Sequence, residues 1–172
     1  MGQRATIVHA ASGITSTTYD GRAGWMAAPL TDRPFPLIAL TGSELEGVKL
    51  EAQLFFPSQI KQALRNWRVG FPTEIDDRAV QVVQGTAPGG TVATLCFDKE
   101  TGLLVRMVRY GASPVGRIVT RVDYGDYRDV AGVKMPFKWT VSWLDGRSKF
   151  ELARVQPNVA IDPAKFAKPI VK

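Results

Sequence analysis

Turn signals recur along most of this sequence and divide it into short segments that resemble β-strands. Asp20-Gly21 and Asp145-Gly146 are candidates for type I′ hairpin turns, because Asp and Gly tolerate positive φ. Strands joined by tight turns run antiparallel, since a parallel crossover needs about a dozen residues. The sequence therefore predicts one large antiparallel meander. Its predicted strands are 4–10, 14–19, 22–27, 78–86, 91–97, 103–110, 117–127, 134–144 and 147–156.

The middle of the chain has a different pattern. Ser43 followed by Glu46 matches a capping box, and a helix is predicted from there to about residue 54. Pro57 suits the first turn of a second helix, predicted over residues 57–67 with one apolar face. The side chains of that face are Ile60, Ala63, Leu64 and Trp67. Helices between strands favour an α+β, mostly β fold, in which the helices cover one face of a curled sheet.

The stretch from Val133 to Arg147 shows the clearest period of two. Large apolar side chains alternate there with polar ones, as in a half-buried strand. The apolar positions are Met135, Phe137, Trp139, Val141 and Trp143. Such a row either closes a dry core, as bulky strand residues usually do, or lines a cavity that binds an apolar ligand. The sequence leaves both alternatives open.

The residues that most catalytic and metal sites need are scarce. His9 is the only histidine and Cys96 the only cysteine, and they lie far apart in the sequence. This argues against a catalytic triad, a zinc site and an intramolecular disulfide. Asp123 and Asp126 are expected to form salt bridges with neighbouring arginines. The sequence therefore predicts a protein that is not an enzyme and that has no metal ion or cofactor.

The net charge of +6 is unevenly distributed along the chain. Residues 1–55 hold four basic and five acidic side chains, a net charge of −1, whereas residues 56–172 hold eighteen and eleven, a net charge of +7. The basic residues form no continuous run, and the aromatic row faces away from its lysines, which argues against a nucleic-acid partner. The excess charge is expected to form a solvated surface, and weak attraction to an anionic lipid surface is the alternative.

Four segments, taken in order, resemble one protein family. They are TTYDGRAGWM at 17–26, FDKETGLLVRM at 97–107, VDYGDYRDVAGVKMPFKWTV at 122–141 and VQPNVAIDPAKFAKP at 155–169. Aromatic-Asp-Gly and Asp-x-x-Thr-Gly turns, a Tyr-x-x-Tyr-Arg strand with Gly-Val-x-Met-Pro, and an Asn-x-x-Ile-Asp ending are typical of the LolA-like superfamily of outer-membrane lipoprotein carriers and sorting proteins. The sequence resembles the later two-thirds of that family.

The resemblance implies a strongly curved antiparallel sheet, an incomplete barrel, with short helices covering its concave face. It also implies a cavity for acyl chains between the sheet and a helical lid at 43–67. Ile60, Leu64 and Trp67 of the lid, together with Trp25 and the row from Met135 to Trp143, are then the candidate lining residues. The inward arginine of true lipoprotein carriers has no placed counterpart, and neither do the N-terminal helix and early strands of the family.

Two function hypotheses follow. The first is a periplasmic or otherwise extracytoplasmic domain that binds a hydrophobic small molecule or an acyl chain. The second is a structural or interaction module of a larger exported protein, because modules of this kind also occur attached to c-type cytochrome domains. In both cases the chain is expected to be a single domain, 1–172, excised from or truncated relative to a longer chain. The sequence does not separate a monomer from a dimer.

Overall fold

A computed structural model describes residues 2–11, 13–28, 35–54, 59–113 and 116–170. The chain divides into two compact units. The first comprises Met1–Ile60 with Ala160–Lys172, and the second comprises Lys61–Val159. Within the described residues all strand pairings are antiparallel. The predicted α+β, mostly β class is confirmed.

The first unit contains a four-stranded sheet in the order β1-β2-β3-β4 and the longer of the two α-helices in the described part of the chain. The sheet alternates in a simple up-and-down manner because each strand pairs with the next. Near the C-terminus a short 3₁₀ helix follows Asp162, whose carboxylate accepts a hydrogen bond from the Ala164 N–H. The elements are β1 Arg4–Ala10, β2 Gly13–Tyr19, β3 Gly24–Ala27, β4 Leu37–Leu40, α1 Gly42–Leu54 and the 3₁₀ helix Pro163–Phe166.

Helix α1 packs on the face of the four-stranded sheet that carries Gly24. A Cβ atom placed on Gly24 would lie 3.1 Å from Leu40 Cδ1 and 3.2 Å from Leu45 Cδ1. Glycine therefore permits the close approach of helix and strand. Leu50 of α1 is 1% exposed and Tyr19 at the end of β2 is 3% exposed, so this interface is a packed core.

The second unit contains an eight-stranded sheet in the order β12-β11-β10-β9-β8-β7-β5, with β6 also paired to β7. From β7 to β12 each strand pairs with the next one along the chain, which is the predicted meander. The strands are β5 Arg65–Val69, β6 Thr73–Ile75, β7 Arg78–Thr86, β8 Val92–Asp98, β9 Leu104–Ser113, β10 Gly116–Val130, β11 Val133–Trp143 and β12 Gly146–Glu151.

Three sequence predictions need correction. The strands form two sheets within the described residues, not one meander. The predicted helix 57–67 is wrong at its C-terminal end, because α2 spans only Ile60–Ala63 and β5 follows it; Pro57 lies outside the described residues. Residues 20–23 form a four-residue loop in which Asp20 Oδ1 accepts from the N–H groups of Arg22 and Ala23, so Asp20-Gly21 is not a two-residue turn.

The hairpin predicted at Asp145-Gly146 is present, but it turns one residue earlier. Trp143 and Gly146 are paired, so Leu144 and Asp145 are its two turn residues. Among the described residues, no helix is long and apolar enough to cross a membrane.

Candidate functional site

One face of the eight-stranded sheet carries a continuous row of apolar side chains across four strands. Leu95 pairs with Met107, Met107 with Val122, and Val122 with Val141. Directly paired residues point to the same side of a sheet. We call this side the apolar face and define it by these four residues. Because side chains alternate along a strand, it also carries the predicted row from Met135 to Trp143.

The centre of the apolar face is closed. Leu95 and Met107 are 0% exposed and Val122 is 2% exposed. A side chain that borders a water-sized space keeps some accessible surface, and these side chains keep essentially none. The central row is therefore packed core, and it does not line a water-sized cavity.

The accessible apolar surface lies toward the edge of the sheet, on β11 and β12. Trp139 stacks on Phe150, with ring centroids 5.2 Å apart and an interplanar angle of 9°. Val141 is half-buried, and Trp143 is 42% exposed. We call Trp139, Val141, Trp143 and Phe150 the aromatic end of the apolar face. It contains Trp143, the most exposed residue of the predicted β11 row.

Phe137 is covered by a cation. The guanidinium carbon of Arg128 lies 4.4 Å from the centroid of the Phe137 ring, and Phe137 is 7% exposed. Asp126 holds Arg128 in place through hydrogen bonds of 2.6 and 3.1 Å, which raise the pKa of Arg128. Phe137 thus packs in a cation–π contact. Met135, which pairs with Arg128, is half-buried.

The predicted lid residues lie in different elements. Leu64 and Trp67 pack over Gly85 of β7, where a Cβ atom would lie 2.8 Å from Leu64 Cβ and 3.2 Å from Trp67 Cε3. Leu64 is 1% exposed and belongs to the closed core, whereas Trp67 stands on β5 and is 37% exposed. Ile60 is half-buried at the start of α2.

Trp25 belongs to the first unit, on β3. It alternates with Gly24, the residue on which Leu45 of α1 packs. Successive side chains of a strand point to opposite faces, so Trp25 lies on the face away from α1. Trp25 is half-buried there.

Arg109 is a buried charged residue that the sequence analysis did not single out. It follows Met107 by two positions on β9, pairs with Ala93, and is 6% exposed. The alternation along β9 is the signal that places it on the apolar face. The structure therefore contains a buried arginine on the apolar face, and it lies outside the four segments that carry the family resemblance.

The opposite face of the sheet is rich in charge. Asp123 forms ion pairs with Arg106 and, at 2.9 Å, with Arg121. Together with the Arg128–Asp126 ion pair at 2.6 Å, these contacts confirm the predicted salt bridges of Asp123 and Asp126. Cys96 is buried on this face, and burial raises the pKa of its thiol, as for a structural cysteine. No group of three or more His, Cys, Asp or Glu that could hold a metal ion occurs among the described residues.

The arrangement is that of an antiparallel sheet protein with the apolar face on one side. The other side carries the ion pairs of Asp123 beside a small buried cluster of Val80, Cys96 and Val105. No protein-family model matches the sequence, and none of the curated proteins is significantly similar to it. Solved structures do match. A domain from Vibrio parahaemolyticus that is named for outer membrane lipoprotein sorting has a TM-score of 0.55 at 10% identity, covering 96% of this chain and 81% of that chain. A LolA superfamily protein from Nitrosomonas europaea has a TM-score of 0.48 at 14% identity, covering 90% of this chain and 84% of its own.

The first of these comparisons shows that the chain has a LolA-like fold, as the sequence resemblance predicted. The likeness is one of fold, because the sequences are only 10% identical. The predicted attachment to c-type cytochrome domains stays a prediction.

Proposed function

We propose that this chain is a non-enzymatic domain that binds the acyl chain of a hydrophobic ligand at the aromatic end of the apolar face. The observation that carries the proposal is the change in exposure along this face, from 0% at Met107 to 42% at Trp143. A ligand that extends the packed centre outward over Trp139 and Phe150 would bury apolar surface that the protein itself leaves accessible.

The energetics of an acyl chain suit such a surface. Each methylene group that leaves water contributes about 0.8 kcal/mol, so a short length of chain over the aromatic end gives useful affinity. The outer faces of the stacked rings offer rigid contact area at a low cost in side-chain entropy. Two carboxylates of β10, Asp123 and Asp126, are engaged by arginines, which supports binding over catalysis.

An extracytoplasmic setting is part of the proposal. The Vibrio parahaemolyticus domain of similar fold is named for the outer membrane, and acyl-bearing ligands there need a protein surface that shields them from water. The proposed partner is thus a lipid or the lipid part of a lipoprotein.

Lipid extraction tests this function directly. Purified protein is analysed by native mass spectrometry, and its solvent extract is then examined for lipids. In parallel, a fluorescent fatty acid is titrated into stripped protein. We expect bound lipid or saturable binding, which Trp143→Ala weakens. Leu144→Ala is the matched control, because Leu144 is 80% exposed in the adjacent turn. Absence of both bound lipid and saturable binding would overturn the proposal.

The closed centre of the apolar face supports a second candidate, a structural or interaction module of a larger exported protein. Leu95 and Met107 need no ligand to be buried. This candidate predicts that neither lipid nor fatty acid binds and that Trp143→Ala changes only stability. The same experiment therefore separates the two functions.

A further inference from the structure

The edge of the eight-stranded sheet opposite the aromatic end exposes apolar and basic side chains together. All five residues of β5 are exposed. Phe71, just beyond β5, is 93% exposed, and Val69 is 76% exposed. We call the stretch 65–71 the β5 edge. It is a different part of the sheet from the proposed ligand site.

The backbone presents Phe71 in a fixed position. The Gly70 N–H donates to the Val82 carbonyl at 2.9 Å, and the Gln81 side-chain amide donates to the Gly70 carbonyl at 2.9 Å. A Cβ atom on Gly70 would lie 3.2 Å from Val82 Cγ1, so Gly70 sits close against β7. Because Gly70 is held on both sides, the next side chain points outward from an ordered strand edge.

The charged side chains of this edge are all basic. Lys61, Arg65 and Arg68 are exposed, and residues 61–73 contain no acidic residue. In the described part of the chain, neither Arg65 nor Arg68 has a carboxylate within ion-pair distance.

The nearest acidic residue in the following sequence stands well away from these arginines. Arg68 is opposite Gln84 and Glu74 is opposite Ala79. These two sites on β7 are five residues apart, roughly 16 Å along the strand. That is more than the Debye length of about 10 Å at 0.1 M salt, so Glu74 offsets little of the positive charge of Arg65 and Arg68.

We propose that the β5 edge docks on an anionic lipid bilayer, with Phe71 and Val69 in the interfacial layer and the arginines at the lipid phosphates. Exposed aromatic and aliphatic side chains flanked by basic residues are the composition of interfacial membrane anchors. Trp67 fits this position, because its ring packs partly on Gly85 and remains 37% exposed. An aliphatic side chain such as Val69 offers no stacking surface for a nucleic acid base, which favours the bilayer.

Co-sedimentation with vesicles tests the docking. The probes are vesicles of phosphatidylcholine alone and vesicles of phosphatidylcholine and phosphatidylglycerol in equal parts. We expect binding to the mixed vesicles that weakens as salt is raised, and little binding to the neutral ones. The inference does not rest on the proposed function, since vesicle binding is measured with stripped and lipid-loaded protein alike.

Substitutions measure the apolar and the basic contributions to vesicle binding separately. Phe71→Ser is expected to weaken partitioning about tenfold, and each of Arg65→Gln and Arg68→Gln about fivefold. Leu144→Ser and Arg117→Gln are the matched controls, as an exposed leucine and an exposed arginine elsewhere on the same sheet. Because Phe71 is almost fully exposed, its variant is expected to melt as the wild type does, which circular dichroism checks.

Several results would overturn the inference. One is wild-type protein that stays in the supernatant with mixed vesicles. Another is a loss of vesicle binding in Leu144→Ser equal to that in Phe71→Ser, which would mean that any exposed apolar residue of the sheet contributes equally to binding. A third is equal binding to neutral vesicles with no effect of the arginine variants. If a single-stranded RNA oligonucleotide binds through the same residues and vesicles do not, the surface is a nucleic-acid site and the docking proposal fails.

Discussion

Two glycines of the eight-stranded sheet have opposite surroundings. A Cβ atom on Gly85 would lie 2.8 Å from Leu64 Cβ, an atom near the backbone that has little freedom to move. A Cβ atom on Gly125 would meet nothing within 4 Å. We therefore expect Gly85→Ala to destabilise the protein by about 1–3 kcal/mol through overpacking. Gly125→Ala is expected to be neutral or to stabilise by up to about 1 kcal/mol, because it restricts the unfolded chain.

Urea denaturation followed by circular dichroism measures both free energies of unfolding. Gly125→Ala serves as the control for the general effect of adding a methyl group to a strand. Equal free energies of unfolding for the two variants would contradict the close packing of Leu64 on Gly85.

Asp98 organises the turn between β8 and β9. Its Oδ1 accepts hydrogen bonds from the N–H groups of Thr101 at 2.8 Å and Glu100 at 2.9 Å, and from the Thr101 hydroxyl at 3.0 Å. The bond from the Thr101 backbone is the largest cause that lowers the pKa of Asp98. Because the pKa is lower in the folded protein than in the unfolded chain, the stabilisation is present above the unfolded pKa and is lost as the pH falls through the folded pKa.

Asp98→Asn therefore has a specific effect on acid stability. The amide keeps an oxygen that accepts hydrogen bonds but does not ionise. We expect the variant to melt at a lower temperature than the wild type at neutral pH and to lose less stability below about pH 4. Melting curves over a pH series, with Asp145→Asn in an exposed turn as control, check this. Parallel acid profiles for Asp98→Asn and the wild type would show that Asp98 does not contribute.

Among the secondary-structure elements, the segment after residue 59 shows why its helical apolar pattern gave a wrong prediction. Ile60, Ala63 and Leu64 fit one face of a helix, and Ala63 and Leu64 are indeed 1% exposed. The helix nevertheless ends at Ala63, because residues 65–69 form a strand that pairs with β7. Backbone pairing with a distant strand has no local signature. The bulge between Arg65 and Arg68, with Asn66 at φ 53°, turns Trp67 onto Gly85 of β7, where Leu64 also packs.

The stacked pair of the final hairpin is the element best suited to a double-mutant cycle. Trp139 and Phe150 face each other across β11 and β12. We expect Trp139→Leu and Phe150→Leu to be coupled by about 0.5–1.5 kcal/mol, the range of aromatic pairs. The neighbouring register pair Lys138 and Glu151, 3.4 Å apart and more than half exposed, is the matched control, with a coupling below about 0.5 kcal/mol. Equal couplings would mean that the hairpin, not the stack, provides the energy.

At the scale of the whole molecule, the meander from β7 to β12 follows from the sequence because its turns are local and its strands alternate. The division into two sheets does not, since β4, β5 and β6 are short and are defined by their partners. The aromatic row was predicted correctly as one face of a strand. Its division into a closed part at Phe137 and an accessible part at Trp143 involves the guanidinium of Arg128 over the Phe137 ring, a contact that the alternation of the row does not predict.

Because the closed and the accessible parts of the row are different residues, substitutions can change ligand binding and core stability independently. A ligand that binds only the folded protein stabilises it by about 2.7 kcal/mol at a hundredfold excess over Kd. We therefore expect palmitate to raise the free energy of unfolding of wild-type protein. Trp143→Ala should lose most of this gain, and it should cost less stability than truncation of a fully buried side chain, because Trp143 is 42% exposed.

Leu95→Ala should behave in the opposite way. Its side chain is 0% exposed in the closed centre, so truncation costs about 2–5 kcal/mol while the gain from palmitate remains. Chemical denaturation of both variants, with and without palmitate, measures the two quantities independently. If palmitate stabilises neither the wild type nor Leu95→Ala, the apolar face is core alone and binds no ligand. If Leu95→Ala rather than Trp143→Ala abolishes the gain, the ligand binds at the centre of the sheet, which contradicts a site at the aromatic end.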